Sequence, residues 1–427
     1  MDKYVIEGSF PLKGKIKASG NKNAALPCIA ATLLTDEAVI LDNIPEIKDV
    51  EVMLNILRYL GSDVRKLGKN RYEIKSGNMG NSEIPLEYAK AIRASILFAG
   101  PLLARTGKVI FPPPGGDVIG HRRLDTHFLA FRELGARIDI QGNMFNVSAN
   151  KLVGVDLFLD EASVTATENA VMTAVMAEGD TIISNVASEP HVQDLCNMLV
   201  SMGAEITGIG SNILHIKGVK KLHGTEFRIG SDFMEVGSYI GLAAVTRSEL
   251  EITDATPANL RMARIAFGKL GITWETSGDS ILVTPRQRLE VCHDMGGQIP
   301  SIDDAPWPGF PPDLTSIVTV VATQVKGTVL IHEKMFESRM FFVDKLIEMG
   351  ARIVLCDPHR AVVSGPARLK GSDLVSPDVR AGMAMVIAAL CAEGKSTIRN
   401  VYQIERGYED LAGRLSSLGA RIERIPD

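Results

Sequence analysis

The sequence lacks the features that mark several common classes of protein. Its five cysteines are scattered singly, with no Cys-x-x-Cys pair and no histidine at metal-ligand spacing, so neither a disulfide framework nor a metal site is expected. No uncharged apolar run reaches the roughly 18 residues of a membrane span, and no signal peptide is apparent. We therefore expect a cytoplasmic protein that is neither exported nor inserted in a membrane.

Two further absences restrict the ligands. The pattern Gly-x-x-x-x-Gly-Lys-Ser/Thr does not occur, which excludes a nucleotide hydrolase with a phosphate loop of that kind. The formal net charge of −5 provides no general attraction for nucleic acid or for an anionic membrane. Any anionic partner must therefore be a small molecule held by a local basic site. No cofactor and no metal are expected, and the oligomeric state stays open.

One pattern occurs six times in the chain. An apolar helical stretch is followed by Leu or Met, then Gly, then an alternating pair of strands, and the repeat length is about 70 residues. The 427 residues are too many for one hydrophobic core and suit two domains of about 200 residues, hence three modules in each. The repeated glycines are Gly61, Gly135, Gly203, Gly271, Gly350 and Gly419.

Each module reads as strand, helix, strand, helix and hairpin. In the first copy the periodicity predicts a strand over 14–18, a helix over 23–34, a strand over 38–42, a helix over 50–60 and a hairpin over 62–75. The fold class is therefore α/β, with six βαβαββ units.

Basic residues recur where the module helices are expected to begin. Free backbone N–H groups and the helix dipole already favour anions there, so arginine at these positions indicates an external anion. The alternative is that each charge is a helix cap or a surface ion pair. A group of six favours a site for phosphate and carboxylate groups: Lys22, Arg93, Arg122, Arg339, Arg380 and Arg406.

The segment 111–123 interrupts the second module. Three prolines followed by Gly115 and Gly116 predict a stiff arm with a flexible tip, which suits a mobile loop that carries Asp117 into a site. The alternative is a simple turn between a strand and a helix.

At these residues the chain resembles the UDP-N-acetylglucosamine enolpyruvyl transferases (1-carboxyvinyltransferases). The resemblance covers essentially the whole sequence. It implies a two-domain inside-out α/β barrel, with a catalytic domain of 1–20 plus 230–427 and a second domain of 21–229 that carries the loop. The matching motifs are SGNKNAALP (19–27), RAS (93–95), PGG (114–116), APWPGFPPD (305–313), FESR (336–339), DVR (378–380) and IERGYE (404–409).

The resemblance implies an addition–elimination reaction. The 3′-hydroxyl of UDP-N-acetylglucosamine adds to C2 of phosphoenolpyruvate while C3 gains a proton, and phosphate then leaves, which is the first committed step of peptidoglycan precursor synthesis. Such a reaction needs cations for the anionic substrate, a base and an acid. Asp313 is implied as the base, and Asp117 as a general acid if its pKa is raised.

The resemblance also assigns the remaining site residues. The implied catalytic residues are Asp117, Asp313, Lys22 and Asp378. The residues implied for phosphoenolpyruvate are Lys22, Arg122, Arg406, Arg339 and Arg380. The residues implied for UDP-N-acetylglucosamine are Asn23, Arg93, Arg122, Ser163, Val164, Thr165 and Asp313.

Three departures from the family pattern bear on function. Well-studied members carry cysteine where this chain has Asp117, and a carboxylate cannot act as the thiolate that fosfomycin alkylates, so fosfomycin resistance is expected. Glu161 and Thr165 stand where lysine and glycine are frequent, and Phe233 where a basic residue is usual. These leave room for a paralogue with another UDP-sugar.

Two other functions remain open. A 5-enolpyruvylshikimate-3-phosphate synthase would share the six modules, but Asn21-Lys22-Asn23 replaces the Ser-Lys-Ser type of opening that resembles that family. A non-catalytic regulator that binds a UDP-sugar is disfavoured by the complete set of Lys22, Asp313, Asp378 and Arg406.

Overall fold

The computed structural model describes residues 2–77, 79–116, 120 and 122–426. By its internal contacts the chain divides into two compact units. The first comprises Met1–Ser19, Val118–His121 and Ser231–Asp427, and the second comprises Gly20–Asp117 and Arg122–Gly230. The sequence predicts that all of 111–123 belongs to the second domain, whereas Gly120 groups with the first unit.

The strands, in chain order, are β1 (Asp2–Glu7), β2 (Lys13–Lys17), β3 (Ala38–Asp42), β4 (Asp63–Gly68), β5 (Arg71–Lys75), β6 (Lys108–Phe111), β7 (Arg137–Gln141), β8 (Met144–Ser148), β9 (Asp156–Phe158), β10 (Asp180–Ser184), β11 (Glu205–Thr207), β12 (Ile213–Lys217), β13 (Glu226–Arg228), β14 (Glu249–Thr253), β15 (Glu275–Ser277), β16 (Ser280–Val283), β17 (Ser301–Asp303), β18 (Gly327–His332), β19 (Arg352–Asp357), β20 (Arg360–Gly365), β21 (Asp373–Val375), β22 (Lys395–Arg399) and β23 (Arg421–Pro426).

The α-helices are α1 (Lys22–Ala31), α2 (Lys48–Leu60), α3 (Leu86–Ala91), α4 (Ala99–Thr106), α5 (Asp125–Glu133), α6 (Val164–Ala174), α7 (Pro190–Ser201), α8 (Phe233–Val245), α9 (Arg261–Lys269), α10 (Thr315–Ala322), α11 (Val343–Glu348), α12 (Val379–Cys391), α13 (Tyr402–Glu405) and α14 (Leu411–Ser417). Turns of 3₁₀-helix cover Thr32–Leu34, Arg93–Phe98, Pro257–Leu260, Met295–Gly297, Pro312–Leu314 and Arg339–Phe342. In the described part of the chain, no helix is both long enough and apolar enough to cross a membrane.

The six glycines of the sequence repeat all end a helix. Each follows the last turn of its helix and has a φ between 70° and 106°, the left-handed conformation that glycine adopts most easily. The helices that they follow are α2, α5, α7, α9, α11 and α14. The predicted six-module organisation is therefore confirmed, and its glycines turn each module from helix into hairpin.

The second unit contains three sheets with a common pattern. Their strand orders are β13–β3–β5–β4, β6–β8–β7 and β11–β12–β10–β9. Strand β13 runs parallel to β3, and β9 runs parallel to β10, while the other pairs are antiparallel. A single parallel bridge between Glu83 and Ile110 takes the same place beside β6.

The first unit also contains three sheets. Their orders are β15–β16–β14–β2, β17–β18–β20–β19 and β21–β22–β1–β23. The parallel pairs are β2 with β14, β17 with β18, and β21 with β22. Strand β1 is antiparallel to both β22 and β23, so the N-terminal strand completes the sheet of the last module.

One strand assignment from the sequence is wrong. The predicted strand over 14–18 was placed in the first module, but β2 pairs with β14 of the fourth module. The first module instead takes β13, which begins only at Glu226, as the parallel partner of its strand β3. A local pattern predicts that a strand forms, but the partner of that strand depends on long-range packing. The exchange of β2 for β13 therefore leaves no signal in the sequence repeat.

Helices, not sheets, occupy the centre of each unit. In the first unit α8, α10 and α12 are buried on almost every side, and α10 packs against the other two. Gly241 of α8 allows this approach, because a Cβ there would lie 3.0 Å from Ile317 and Val321. In the second unit α4 packs on α6 at Gly100. Apolar helices enclosed by sheets with one exposed face form the predicted inside-out barrel.

Candidate active site

Lys22 and Asn23 stand at the beginning of α1 in the second unit. Asn21 caps this helix, because its side chain accepts hydrogen bonds from the backbone N–H groups of Asn23 (2.8 Å) and Ala24 (3.3 Å). The Lys22 ammonium lies 2.6 Å from the carboxylate of Asp49 in the first turn of α2, and their side chains are only 11% and 4% exposed. Asp49 therefore holds a lysine at the positive end of a buried helix, where an anion would also be favoured.

Arg93 and Arg122 lie together in the same unit. The Arg93 guanidinium donates to the carbonyl oxygens of Arg122 (2.7 Å) and Arg123 (3.2 Å). Burial, and secondly the charge of Arg122, lower the pKa of Arg93 to about 10. Two adjacent guanidinium groups repel each other, and a bound phosphate or carboxylate would relieve that repulsion.

A hydrogen-bonded relay runs from α4 to Asn169 of α6, then to His127 of α5, and back to Thr165 of α6. The side-chain Oδ1 of Asn169 accepts from the Gly100 N–H (2.8 Å), so its side-chain Nδ2 donates to Ile96 O (2.9 Å) and to His127 Nδ1 (3.0 Å). His127 then carries its proton on Nε2 and donates it to the Thr165 hydroxyl at 3.2 Å. Burial, with the charges of Arg93 and Arg122, lowers the pKa of His127 to about 3, so the ring is neutral.

The predicted nucleotide segment 163–165 forms the start of α6. Ser163 precedes the helix, Val164 is its first residue, and Thr165 follows. Glu168 lies inside this helix and is buried. The backbone N–H groups of a helix start and the Thr165 hydroxyl both suit a phosphate group.

The loop that precedes Asp117 packs closely on the segment before Arg93. The Gly115 N–H donates to Ala89 O at 2.8 Å, and a Cβ at Gly115 would lie 2.1 Å from Lys90 O. Gly116 has a φ of +106°, and a Cβ there would lie 2.9 Å from that of Arg93. Asp117 itself lies outside the described residues, so its catalytic role remains a prediction.

In the first unit, Asp313 lies between two buried arginines. Its Oδ1 accepts from Arg339 Nη2 at 3.1 Å, and its Oδ2 accepts from Arg380 Nε at 2.9 Å. The arginine side chains are 5% and 7% exposed, whereas that of Asp313 is 22% exposed. Both guanidinium groups favour the ionised carboxylate, which is the form that can accept a proton.

Asp378 and Arg406 occupy helix termini of the same unit. Asp378 caps α12, since its Oδ1 accepts from the N–H groups of Arg380 (2.8 Å) and Ala381 (2.9 Å). Arg406 was predicted near the opening of a helix, but it follows the last residue of α13 and donates to Gln403 at 2.9 Å. A cation suits that negative end of the helix dipole.

The predicted residues thus fall into two sets, one in each unit. The second unit holds Lys22, Asn23, Arg93, Arg122, Ser163, Val164 and Thr165, and the first holds Asp313, Arg339, Arg380, Asp378 and Arg406. The structure adds Tyr408, whose hydroxyl lies 3.3 Å from Arg380 Nη1 and whose ring faces the same guanidinium. Phe233, one of the three departures, is buried and packs edge-on against Trp307.

Comparisons with known proteins agree with this geometry. A family model described as EPSP synthase (3-phosphoshikimate 1-carboxyvinyltransferase) matches residues 6–415. In solved structures, the enolpyruvyl transferase NikO from Streptomyces tendae has a TM-score of 0.88 at 22% identity, covering 100% of this chain and 99% of that one. EPSP synthase from Acinetobacter baumannii has a TM-score of 0.76 at 16% identity over 100% of both chains. The chain has the enolpyruvyl transferase fold and belongs to the EPSP synthase family.

Curated relatives make the likeness more specific. UDP-N-acetylglucosamine 1-carboxyvinyltransferases from Treponema denticola and Treponema pallidum are 68% and 63% identical to this chain, in each case over 99% of both sequences. The enzyme of that name from Bradyrhizobium diazoefficiens is 54% identical over 99% of this chain and 98% of its own. The resemblance predicted from the motifs is confirmed.

Proposed function

We propose that the protein transfers the enolpyruvyl group of phosphoenolpyruvate to the 3′-hydroxyl of UDP-N-acetylglucosamine and releases phosphate. The observation that carries this proposal is the position of Asp313, whose carboxyl group lies between Arg339 and Arg380. The 54–68% identity to 1-carboxyvinyltransferases over nearly the whole chain supports this choice of substrates. The reaction begins the synthesis of peptidoglycan precursors, and so serves cell-wall growth and division.

The addition step needs a base, an acid and cations. Asp313 accepts the proton of the sugar hydroxyl as its oxygen bonds to C2, and Asp117 delivers a proton to C3. Lys22, Arg122 and Arg406 bind the phosphate, while Arg339 and Arg380 stabilise the charge on the carboxylate side. Elimination then breaks the bond from C2 to the phosphate oxygen and removes a proton from C3, which regenerates the double bond.

The sugar nucleotide is assigned to the second unit. Asn23, Arg93 and the segment 163–165 offer amide, guanidinium and helix N-terminal groups for the sugar and the diphosphate. Thr165 stands where the family resemblance implies glycine, and the neutral His127 orients its hydroxyl. We infer that Thr165 donates a hydrogen bond to the nucleotide, so that this departure preserves phosphate binding. Glu161 lies outside that relay.

We also propose that the enzyme acts in the cytoplasm. Its five cysteines are all free, which is typical of a reducing compartment.

The reaction is tested by running it in D₂O and analysing the products by mass spectrometry. Addition followed by elimination predicts UDP-N-acetylglucosamine enolpyruvate with deuterium at the vinyl carbon, because C3 gains a solvent proton and then loses one. A product without deuterium would contradict the addition step. Absence of product would favour the alternatives, a transferase for another UDP-sugar or a non-catalytic UDP-sugar-binding regulator.

A further inference from the structure

Two carboxyl groups outside the predicted site lie buried beside Arg339. Strands β17 and β18 are parallel neighbours, with Asp303 opposite His332, and each is followed at once by an acidic residue, Asp304 or Glu333. The carboxyl ends of parallel strands meet at one edge of a sheet, which brings these two side chains together. Asp304 and Glu333 are 1% and 0% exposed.

Each of the two carboxyl groups uses one oxygen to bind backbone. Glu333 Oε1 accepts from the N–H groups of Met335 (3.3 Å) and Phe336 (3.2 Å), and Asp304 Oδ1 accepts from the N–H of Lys334. The other oxygens, Asp304 Oδ2 and Glu333 Oε2, have no hydrogen-bond donor among the described residues. The register of β17 and β18 makes Asp304 and Glu333 neighbours at this edge, and Asp304 is among the groups that raise the pKa of Glu333.

A single proton satisfies both of the remaining oxygens. Two ionised carboxylates in contact would repel each other in a buried site, whereas a proton shared between Oδ2 and Oε2 forms a hydrogen bond. Burial, and after it Asp304, raise the pKa of Glu333 to about 8 despite the opposing effects of the Arg339 charge and the Thr315 hydroxyl. The other groups that face Glu333 are the hydroxyl of Thr315 and His359, which binds its backbone.

We propose that Asp304 and Glu333 share one proton and act together as a positioning element for Arg339. This inference rests on the proposed function, in which Arg339 binds substrate. Arg339 Nε lies 3.7 Å from Glu333 Oε2, beyond hydrogen-bonding distance, while its Nη2 binds Asp313 at 3.1 Å. With one shared proton the pair carries a single negative charge, and the guanidinium stays with Asp313 and the substrate.

Loss of the shared proton changes that balance. The proton passes to solvent, and Glu333 becomes a second full carboxylate facing the same guanidinium. Arg339 is then drawn toward Glu333 and away from Asp313, so phosphoenolpyruvate binds more weakly. KM for phosphoenolpyruvate should therefore rise by about tenfold one pH unit above the pKa of the pair, while kcat changes less.

The decisive comparison uses two conservative variants. In Glu333→Gln the amide oxygen can accept from the backbone and the amide nitrogen can donate to an ionised Asp304, so the pair keeps one negative charge at every pH. Glu333→Gln should therefore keep KM near the wild-type value at pH 7 and lose its alkaline rise. Asp304→Asn instead leaves a full carboxylate on Glu333 at every pH, so it should show the raised KM already at pH 7, with no further alkaline rise. Glu333→Leu, which cannot hold Asp304, should raise KM at every pH.

The exposed Glu348→Gln on α11 is the matched control and should keep the wild-type profile. An alkaline rise in KM that persists in Glu333→Gln, or a wild-type KM that is flat to pH 9, would overturn the proposal. Infrared spectroscopy of the wild-type protein gives a readout that does not depend on activity. A protonated-carboxyl band that disappears above about pH 8 and is absent from Glu333→Gln is expected. If that band is found but UDP-N-acetylglucosamine is not turned over, the proposed function fails while proton sharing stands.

Discussion

The two ion pairs of Asp313 differ from the many ion pairs on the surface of this protein, because both arginine partners are buried. An exposed ion pair contributes only about 0–1 kcal/mol to the free energy of unfolding. Arg339 and Arg380 are almost completely shielded from water in the folded protein. Their positive charges are therefore held beside a carboxylate that is itself partly open to solvent. This is the arrangement expected of a base that works on an anionic substrate.

Asp313→Asn tests the role of that carboxylate. The amide keeps the shape but cannot accept the hydroxyl proton, so phosphate release should fall by at least about 100-fold. The free energy of unfolding should fall by about 1–3 kcal/mol, because two buried guanidinium groups lose a charged partner. Steady-state phosphate release and urea unfolding measure the two effects. The exposed Asp344→Asn on α11 is the control, and an Asp313→Asn enzyme within threefold of wild type would exclude Asp313 as the base.

The aspartate at position 117 allows us to predict how the enzyme responds to fosfomycin. A carboxylate is not alkylated as a thiolate is, so the wild-type enzyme should show no time-dependent inactivation by the drug. Asp117→Cys should become sensitive, whereas Asp117→Asn should not. Activity after incubation with fosfomycin distinguishes these variants. Inactivation of the wild type would show that the drug reacts at another residue.

The residue types of the site were predictable, but the groups behind them were not. Lys22, Arg93 and Asp313 stand in motifs that belong to a known family, so their chemistry is visible in the sequence. Glu333 and Asp304 each follow a short strand and look like ordinary loop acids until the parallel pairing of β17 and β18 is known. A local signal exists only for Glu333, which comes soon after the apolar run 329–331, because 301–303 contains a single apolar residue.

At the scale of elements, α5 and α6 are joined by a neutral histidine. His127 of α5 accepts from Asn169 and donates to Thr165, both on α6, and its folded pKa is about 3. The ordinary pKa of histidine is near 6.5, so below that pH the unfolded chain gains a proton that the folded protein does not. The stability that His127 contributes is present above about pH 6.5 and is lost as the pH falls toward 3.

His127→Gln should reduce this acid sensitivity. Glutamine can accept from Asn169 and donate to Thr165 but does not titrate. Between pH 7 and pH 4.5 the wild-type free energy of unfolding should fall by about 2–3 kcal/mol more than that of the variant. Urea unfolding at a series of pH values measures the difference, with the exposed His215→Gln as control. Equal pH dependence in wild type and His127→Gln would contradict a neutral, buried His127.

The helices and hairpins were largely predictable because their signals are local. Helix periodicity and the glycine that ends each second helix recur six times, and the left-handed φ of those glycines explains why the residue is repeated. The bounds were less exact. The helix predicted over 50–60 begins at Lys48, because the charged Lys48 and Asp49 precede the apolar pattern.

At the scale of the whole molecule, the two units differ in chain continuity. All strands of the second unit's sheets lie between residues 20 and 230, whereas the first unit takes β1 and β2 from the N-terminus. Because β1 lies between β22 and β23, the last sheet is incomplete without the first seven residues. The repeat pattern could not predict this exchange, since parallel partners far apart in sequence carry no local signature.

That difference predicts how fragments behave. A fragment of residues 20–230 should fold and unfold cooperatively, because its sheets are complete. A fragment of residues 231–427 lacks β1 and β2 and should not, while addition of residues 1–19 through a linker should restore cooperative unfolding. Circular dichroism during urea unfolding makes the comparison. Cooperative unfolding of 231–427 alone would contradict the role given to the N-terminal strands.

The most direct test of the central claim is phosphate release by the purified protein from phosphoenolpyruvate, with two acceptors in parallel. The account predicts release with UDP-N-acetylglucosamine, none with shikimate-3-phosphate, and almost none from Asp313→Asn. Release with shikimate-3-phosphate, or none with either acceptor, would contradict it.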